Sequence, residues 1–462
     1  RAEQAGYGLK KPFMVLSWEW HLLFKSLGKF QIQRRFNMIC KKSILLSITG
    51  LLLLFGAIFS AEVSSQEFKK TPITLNASDI LPGQLLKGPN YSIKEIVRSD
   101  GLINTYELET KYGPNSVEST VFLLKRLNEL KAIDSMEKLQ GTDTFTKAAQ
   151  AAATGPLATA KDMVVDPVGT AKSIGSGIGR FINNVGEAVA SHSPDQPGIA
   201  KAALGQAANK RAFAYEFKVD PYSSYKPLQE SLDKVAWTAT AGSLTVKAAF
   251  SAIPGGAGVA VSLTGSSDSL RSLVRDNTPA GLIEINRQKL AGMGISKRAA
   301  DAYINNRYYN PFEQTLLVGE LESMSGVKGR DSFISAASRA SEESVAVYMR
   351  ATAQLVALFN KNVAPVERFV EAGRLVLLKT KDGRMIGVFP IDNVAWTTNL
   401  SQREKEISQE ISKMKGVRGK EFWFGGEIDR TARQALEARN WKVVDRFTEK
   451  VFKELAGRRA GK

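Results

Sequence analysis

Residues 421–444 read EFWFGGEIDRTARQALEARNWKVV, and this stretch carries the strongest fold signal in the C-terminal part of the chain. Glu421–Phe424 is aromatic and β-prone, Ile428–Ala438 has the spacing of a helix, and Trp441–Val444 is again β-prone. Parallel strands cannot be joined by a tight hairpin, so a strand, a helix and a strand in this order predict a parallel β-α-β crossover.

A glycine pair, Gly425-Gly426, stands between the first strand and the helix of this crossover. Backbone amides at such a position can bind a phosphate group. The dinucleotide fingerprint and the P-loop both require further glycines, and the P-loop also requires a Lys followed by Ser or Thr. Glu427 would in addition repel an anion. The pair therefore predicts a tight turn, with a phosphate site as the alternative.

A hairpin is predicted just before the crossover. Leu375–Thr380 and Met385–Phe389 are β-prone and flank an Asp-Gly pair, which favours a hairpin turn. A charged helix is predicted over Ser401–Met414. Residues 366–462 are therefore expected to form a small α/β unit.

Residues 211–365 read as mostly helical. Apolar residues at helical spacing mark one helix around 228–236 and a longer one around 337–359. Between them, Ala241–Gly265 carries Lys247 as its only charge. This segment is expected to be a buried helical hairpin, and the alternative is a hairpin that inserts into a membrane.

Residues 137–210 are interpreted as a flexible or helical linker, because Ala and Gly dominate most of this region and prolines interrupt it. An apolar stripe over 174–189 has only Lys172 and Arg180 as cations on its polar side. The stripe predicts a helix packed on a neighbouring domain, with a helix on a membrane surface as the alternative.

Residues 66–136 predict a β-hairpin followed by a helix. Tyr91–Val97 and Leu102–Thr110 are β-prone and flank an Asp-Gly pair, and a turn is expected at Tyr112–Asn115. A helix with regularly spaced leucines is expected after Ser116. The fold class is thus predicted as α+β, predominantly helical, with an N-terminal hairpin plus helix, a helical middle and a C-terminal small α/β unit.

Residues 38–65 have the order of a secretory signal peptide. Lys41 and Lys42 precede an uncharged run rich in Leu and Ile, Ser43–Ala61. Small residues follow, and cleavage is expected after Ser65. An uncleaved anchor is the alternative, because the apolar run approaches the length that spans a bilayer.

Residues 1–37 have a composition unlike a leader and are expected to be upstream sequence before the true start at Met38. The single cysteine, Cys40, precedes the apolar run, a position unsuited to lipid attachment. The mature chain would then hold no thiol for a disulfide, a metal site or a nucleophile. The expected location is periplasmic or secreted, with anchoring in the inner membrane as the alternative.

The charge balance is basic: 63 Lys and Arg face 46 Asp and Glu, a formal charge of +17. Such a surplus favours acidic partners, including an anionic envelope surface or another envelope protein, without specifying one. The charges are scattered, and no aromatic-interleaved basic stripe occurs, which argues against nucleic acid as the partner. Membrane association remains open.

Few residues suggest catalysis or cofactor binding. His192, the sole histidine after the leader, stands between serines and near Asp195 in a loop-like stretch, and adjacent loop residues rarely form a triad. Asp100 and Asp382 each precede a glycine, which hairpin turns favour without any function. No catalytic, cofactor-binding or metal-binding residue is assigned.

An aromatic and basic group follows in the helical middle: Tyr303, Arg307, Tyr308 and Tyr309. If exposed, this patch would stack on a sugar or a lipid headgroup. Packing between helices explains the same residues, so both interpretations stay open.

Several motifs together resemble a group of uncharacterised exported proteins from proteobacteria. The resemblance covers about residues 85–445, and it rests on the following stretches: Gly101–Tyr106 with Tyr112-Gly113, Asp166–Thr170 leading to Gly177–Arg180, Val219–Ser224, and Gly326–Arg330. It implies an exported envelope protein and supplies no site residues. The function expected from the sequence is therefore a non-enzymatic binding or structural protein of the cell envelope. The alternatives are a periplasmic hydrolase that uses carboxylates or Ser, and a membrane-associated protein that inserts Ala241–Gly265.

Overall fold

The structure is a computed structural model that describes residues 67–154, 197–253, 268–447 and 449–450, with the backbone alone for residues 197–202. These residues belong to one compact unit, Gln66–Lys462. Helices and strands both build it, and the fold class is α+β. The predicted leader, 38–65, lies outside the described residues.

An antiparallel sheet of six strands forms the N-terminal part. Its strands are β1 (Ile73–Asn76), β2 (Lys87–Gly88), β3 (Tyr91–Ile93), β4 (Ile96–Ser99), β5 (Asn104–Thr110) and β6 (Gly113–Glu118), and two short helices, α1 (Ala77–Ile80) and α2 (Gly83–Leu86), lie between β1 and β2. β3 and β4 pair with successive parts of one edge of β5, and β6 pairs with the other edge. The predicted β4–β5 hairpin is confirmed.

Two details of this sheet differ from the sequence prediction. The expected strand Tyr91–Val97 is divided into β3, which pairs with β5, and β4, which also pairs with β1, and the carbonyl of Glu95 between them accepts the amide of Ala77 at 2.7 Å. Ser116 lies in β6 and does not begin the helix. The helix begins at Thr120, where the Ser119 side chain caps it by accepting the amide of Phe122 at 3.2 Å.

Eleven helices follow the sheet in the described part of the chain up to residue 362. They are α3 (Thr120–Gln140), α4 (Asp143–Thr154), α5 (Pro197–Glu216), α6 (Lys226–Ala241), α7 (Val246–Ser251), α8 (Asp268–Asp276), α9 (Pro279–Gly292), α10 (Lys297–Ile304), α11 (Pro311–Glu322), α12 (Arg330–Ala337) and α13 (Glu343–Asn362). One apolar core joins the N-terminal sheet to α3, α5 and α6. A second core joins α9 to α13 to one face of the C-terminal sheet.

The C-terminal sheet has the order β13-β11-β9-β8-β7. Its elements, with a separate two-stranded pair, are β7 (Val366–Ala372), β8 (Leu375–Thr380), β9 (Arg384–Phe389), β10 (Asn393–Val394), α14 (Thr398–Ser412), β11 (Gly419–Phe424), β12 (Glu427–Ile428), α15 (Arg430–Glu437) and β13 (Trp441–Val444). β8 and β9 form the predicted antiparallel hairpin. β11 and β13 are parallel and joined through α15, so the predicted crossover is confirmed.

The two faces of this sheet are covered by different helices. α14 and α15 pack on one face around Trp441, while α13 packs on the other, where the rings of Phe359 and Trp423 meet edge to face at 5.2 Å. Within the described ranges, no helix is long and apolar enough to cross a bilayer.

Candidate functional site

A cleft of about 1100 Å³ lies where the N-terminal sheet, the first turns of α13, α14 and the C-terminal sheet meet. Small-molecule sites have volumes of about 300–1,000 Å³, so the cleft is large enough for an organic ligand. It joins elements that are far apart in the sequence, and no single motif defines it.

The lining of the cleft is mainly apolar. The apolar side chains are those of Leu102, Ile103, Val345, Met349, Leu375, Phe389, Ile391, Leu400, Ile407, Phe422 and Phe424. The ring of Phe422 stacks on Trp441 at 3.8 Å and lies 5.5 Å from the ring of Phe424. These ring contacts hold the floor in place without a ligand.

The β4–β5 hairpin forms one wall, and its turn is fixed by Asp100. The Asp100 Oδ1 accepts the backbone amides of Leu102 and Ile103 at 2.8 and 2.7 Å. Gly101 has a φ of +93°, and a Cβ there would lie 2.6 Å from the Cγ2 of Thr397. Only glycine fits this close approach between the hairpin and the C-terminal part.

Asp392 holds the same wall from the other side. Its Oδ2 accepts the amide of Asn104 at 2.9 Å, and its Oδ1 accepts the amide of Thr120, the first residue of α3, at 2.9 Å. Burial raises the pKa of Asp392 to about 6, while these hydrogen bonds act in the opposite direction. This carboxyl joins β5, α3 and the loop before β10 at the edge of the cleft.

Three arginines line the cleft: Arg98 on β4, Arg374 in the β7–β8 turn and Arg403 on α14. The Arg403 Nε donates to the Asn399 Oδ1 at 2.8 Å. Among the residues that the structure describes, none of the three guanidinium groups forms an ion pair. They are therefore free to bind an anionic group.

The acidic residues of the lining differ in burial and in their hydrogen-bond and ion-pair partners. Glu404 is buried, accepts the indole N–H of Trp441 at 2.7 Å and pairs with Arg439 at 3.4 Å. Glu118 lies two strands from Arg98 in the register of the sheet, a separation of about 10 Å. Glu342, at the N-terminus of α13, is exposed.

A second, smaller cavity of about 380 Å³ adjoins the cleft. Arg374 and Leu375 line both cavities, and Arg339 and Glu371 line the smaller one. Arg374 therefore lies where the cleft and the smaller cavity meet, and Arg339 lies in the smaller cavity.

Two serines of the hairpin side of the cleft, Ser99 and Ser119, are hydrogen-bonded to backbone amides. The Ser99 Oγ accepts the amide of Gly101 at 3.1 Å, and the Ser119 Oγ accepts the amide of Phe122. Ser99 and Ser119 therefore hold the backbone of the hairpin turn and of the first turn of α3. In the described part of the chain, neither Lys nor His lines the cleft.

The predicted aromatic patch is divided between core and surface. Tyr303 and Tyr309 are 0% and 1% exposed, and their rings meet at 4.8 Å in the core. Arg307 is exposed and its Nη2 donates to the hydroxyl of Tyr308 at 2.8 Å. Of the two interpretations, core packing holds for Tyr303 and Tyr309, so the four residues do not form one exposed surface.

The glycine pair after β11 is a tight turn. The amides of Gly425 and Gly426 donate to the carbonyls of Phe389 and Ile391 at 2.8 and 2.7 Å. A Cβ on Gly426 would lie 1.9 Å from the carbonyl oxygen of Asp392. Both amides already have protein acceptors, so the alternative of a phosphate site is wrong.

Other expectations fall wholly or partly outside the described residues. His192, the 174–189 stripe and Cys40 lie outside them. Of Ala241–Gly265, the structure describes residues 241–253, where Ala249 and Ile253 are buried in the N-terminal core. No three of the described His, Cys, Asp and Glu side chains form a group that could hold a metal ion.

A buried charged network around Lys125 of α3 joins this helix to α11 and α13, and no local sequence pattern predicted it. The Lys125 Nζ lies 3.5 Å from Asp220, 3.2 Å from Glu313 and 3.0 Å from Glu343, and Glu313 also pairs with Arg350 at 3.0 Å. Lys125 is 8% exposed, and with its partners it joins four segments of the chain.

The pKa shifts of this network follow from burial and pairing. Burial alone would raise the pKa values of Glu313 and Glu343, but Lys125 holds both below the usual range. Burial raises the pKa of Asp220 to about 7; Lys125 acts in the opposite direction, and the negative charge of Glu313 adds to the rise. The motif Val219–Ser224 supplies Asp220, and it was the only sequence signal for this network.

Comparison with known proteins finds no match: no protein-family model, curated protein or solved structure is similar to the chain.

Proposed function

We propose that this chain is an exported, non-enzymatic binding protein of the cell envelope and that the cleft between its two sheets is the ligand site. The cleft of about 1100 Å³, with its floor of aromatic and aliphatic side chains, carries the proposal. A large apolar pocket with a few convergent polar groups is the usual form of a small-molecule site.

Two further observations support binding over catalysis. The polar groups closest to the hairpin wall, Asp100, Ser99 and Ser119, are already hydrogen-bonded within the protein. The lining also carries three arginines without an ion-pair partner among the described residues, and arginine binds anions but cannot accept a proton at neutral pH.

A cleft-blocking variant tests the site. Ser344 lies in the first turn of α13 and lines the cleft. We expect Ser344→Trp to place an indole ring in the cleft and to weaken binding of the neutral fluorescent probe N-phenyl-1-naphthylamine at least tenfold.

A matched tryptophan at the other end of the same helix controls for the added ring. Val363, which follows α13, is 38% exposed and lies about 28 Å along the helix from Ser344. Val363→Trp should bind the probe within twofold of the wild type. Equal binding by both variants and the wild type, or no binding by any, would contradict the proposed site.

The location outside the cytoplasm is proposed from the leader pattern of residues 38–65. Cells that express the chain from Met38 would be fractionated, and the product would be sequenced from its N-terminus after a carbonate wash of the membranes. A periplasmic product that begins near Gln66 is the expected result. A product that stays in the washed membranes would instead indicate an anchor.

A further inference from the structure

Resting on the proposed function, we infer that the ligand of the cleft is a single-chain amphiphile with an anionic head group. Arg374 binds the head group where the two cavities meet, and the alkyl tail lies on the aromatic floor. The inference rests on the division of the site into an apolar floor and an arginine-bearing rim.

The floor fits a flexible alkyl chain better than a polar ligand. Phe389, Phe422 and Phe424 line it from three neighbouring positions of the C-terminal sheet, and Leu400 and Ile407 line it from α14. Within the described lining, the floor offers no charged side chain to a polar ligand apart from Glu404. That carboxylate is already occupied by Trp441 and Arg439.

The rim on the same side supplies the head-group site. Arg374 lies directly before Leu375 of the floor, and Arg403 shares a face of α14 with Leu400 and Ile407, so both cations flank the apolar surface. Arg339 adds a third guanidinium group through the smaller cavity. The free carboxylates on this side are Glu342 and Glu371, so three cations face two anions.

Arginine is suited to this role because its planar guanidinium group binds a carboxylate or a phosphate through two parallel hydrogen bonds. The opposite wall carries two carboxylates, Asp100 and Glu118, and one cation, Arg98, so it would repel an anionic head group. An anionic head group therefore binds more favourably at the end of the cleft near Arg374 than at the opposite wall.

Displacement of N-phenyl-1-naphthylamine from the purified protein tests the inference. The competitors are dodecanoate, dodecyl phosphate, dodecanol and dodecyltrimethylammonium, each below its micellar concentration. Both anions should bind at least tenfold more tightly than the cation. In a series of shorter carboxylates, affinity should fall about fourfold for each methylene removed, the effect of about 0.8 kcal/mol per buried methylene.

Arg374→Gln should weaken dodecanoate at least tenfold and leave dodecanol within twofold of the wild type. Arg298→Gln removes an exposed arginine of α10 away from both cavities and should change neither ligand. A cation that binds as tightly as the anions, or an Arg374→Gln variant with unchanged dodecanoate affinity, would overturn the inference.

The two proposals fail in different ways. If the anionic preference is wrong but the cleft is the ligand site, dodecanol still displaces the probe and Ser344→Trp still blocks it. If the cleft binds no ligand, none of the four competitors displaces the probe from the wild type.

Discussion

Replacing Lys125 with methionine should strongly destabilise the protein. Methionine has a similar length to lysine but carries no charge, so the variant leaves Asp220, Glu313 and Glu343 without the cation that they share at 3.0–3.5 Å. Arg350 remains 3.0 Å from Glu313 and compensates only that carboxylate.

The magnitude follows from the burial of the network. Lys125, Asp220 and Glu313 have side chains that are 8%, 2% and 3% exposed, so water cannot replace the lost cation. Removing one partner of a buried ion pair costs about 3–5 kcal/mol. We expect Lys125→Met to lower the free energy of unfolding by about 3 kcal/mol or more at pH 8.

The loss should depend on pH. In the wild type, Lys125 lowers the pKa values of Glu313 and Glu343, and this contribution to stability is present above their unfolded pKa of about 4.3 and lost as the pH falls through the lower folded values. Without Lys125 the buried carboxyls take up protons more readily. The difference between wild type and variant should therefore shrink between pH 8 and pH 5.

Guanidinium denaturation followed by tryptophan fluorescence measures both effects. The control is Lys226→Met, which removes a 65% exposed lysine whose pair with Glu230 spans 3.6 Å, and it should stay within about 0.5 kcal/mol of the wild type. A loss below about 1 kcal/mol for Lys125→Met, equal at pH 5 and pH 8, would refute this description of the network.

Three further predictions concern single residues. The pKa of Asp220 is raised to about 7, so its carboxyl stabilises the fold at low pH, and this contribution is lost as the pH rises from about 4 to about 7. Asn does not titrate, so the free energy of unfolding of Asp220→Asn, measured by denaturation at each pH, should rise relative to the wild type by on the order of 2 kcal/mol between pH 5 and pH 8. Gly101→Ala should lower the free energy of unfolding by about 1–3 kcal/mol, because the residue has a φ of +93° and no room for a Cβ, and a thermal midpoint equal to the wild type would contradict this. Tyr303→Phe should leave the free energy of unfolding within about 0.5 kcal/mol of the wild type, since the buried Tyr303 hydroxyl has no hydrogen-bond partner in the described structure. Tyr309→Phe should lower it by about 1 kcal/mol, because it removes the 3.2 Å hydrogen bond to the carbonyl of Ala337.

The elements that the sequence predicted well are those determined by local signals. The Asp-Gly turns at Gly101 and Gly383 adopt the positive φ that such turns favour, and both join paired antiparallel strands. The crossover from β11 to β13 was readable because its aromatic strands and its helix lie within one short stretch. In these places the residues that specify the structure are neighbours in sequence.

The strand β6 was missed for a physical reason. Gly113–Glu118 contains Pro114 and Asn115, which are typical of turns, and a single buried residue, Val117. It is a strand because each of its residues faces a partner in β5. Pairing with a neighbouring strand overrode the local preference of these residues.

The cleft could not have been read from the sequence. Asp392 accepts the amide of Asn104 across 288 positions of the chain, and Arg339 and Arg374 line one cavity although 35 positions separate them. The aromatic residues around Tyr303 suggested a surface patch because they are close in sequence, but the rings of Tyr303 and Tyr309 pack against each other in the core. Sites assembled from distant segments leave no local pattern.

A crystal structure of the protein with ω-bromododecanoate would show where an anionic amphiphile binds, because anomalous scattering from bromine locates the end of the tail. We predict bromine density on the floor near Phe422 and Phe424, with the carboxylate within hydrogen-bond distance of the guanidinium group of Arg374. Bromine density at another surface, or an empty cleft at saturating ligand, would contradict it.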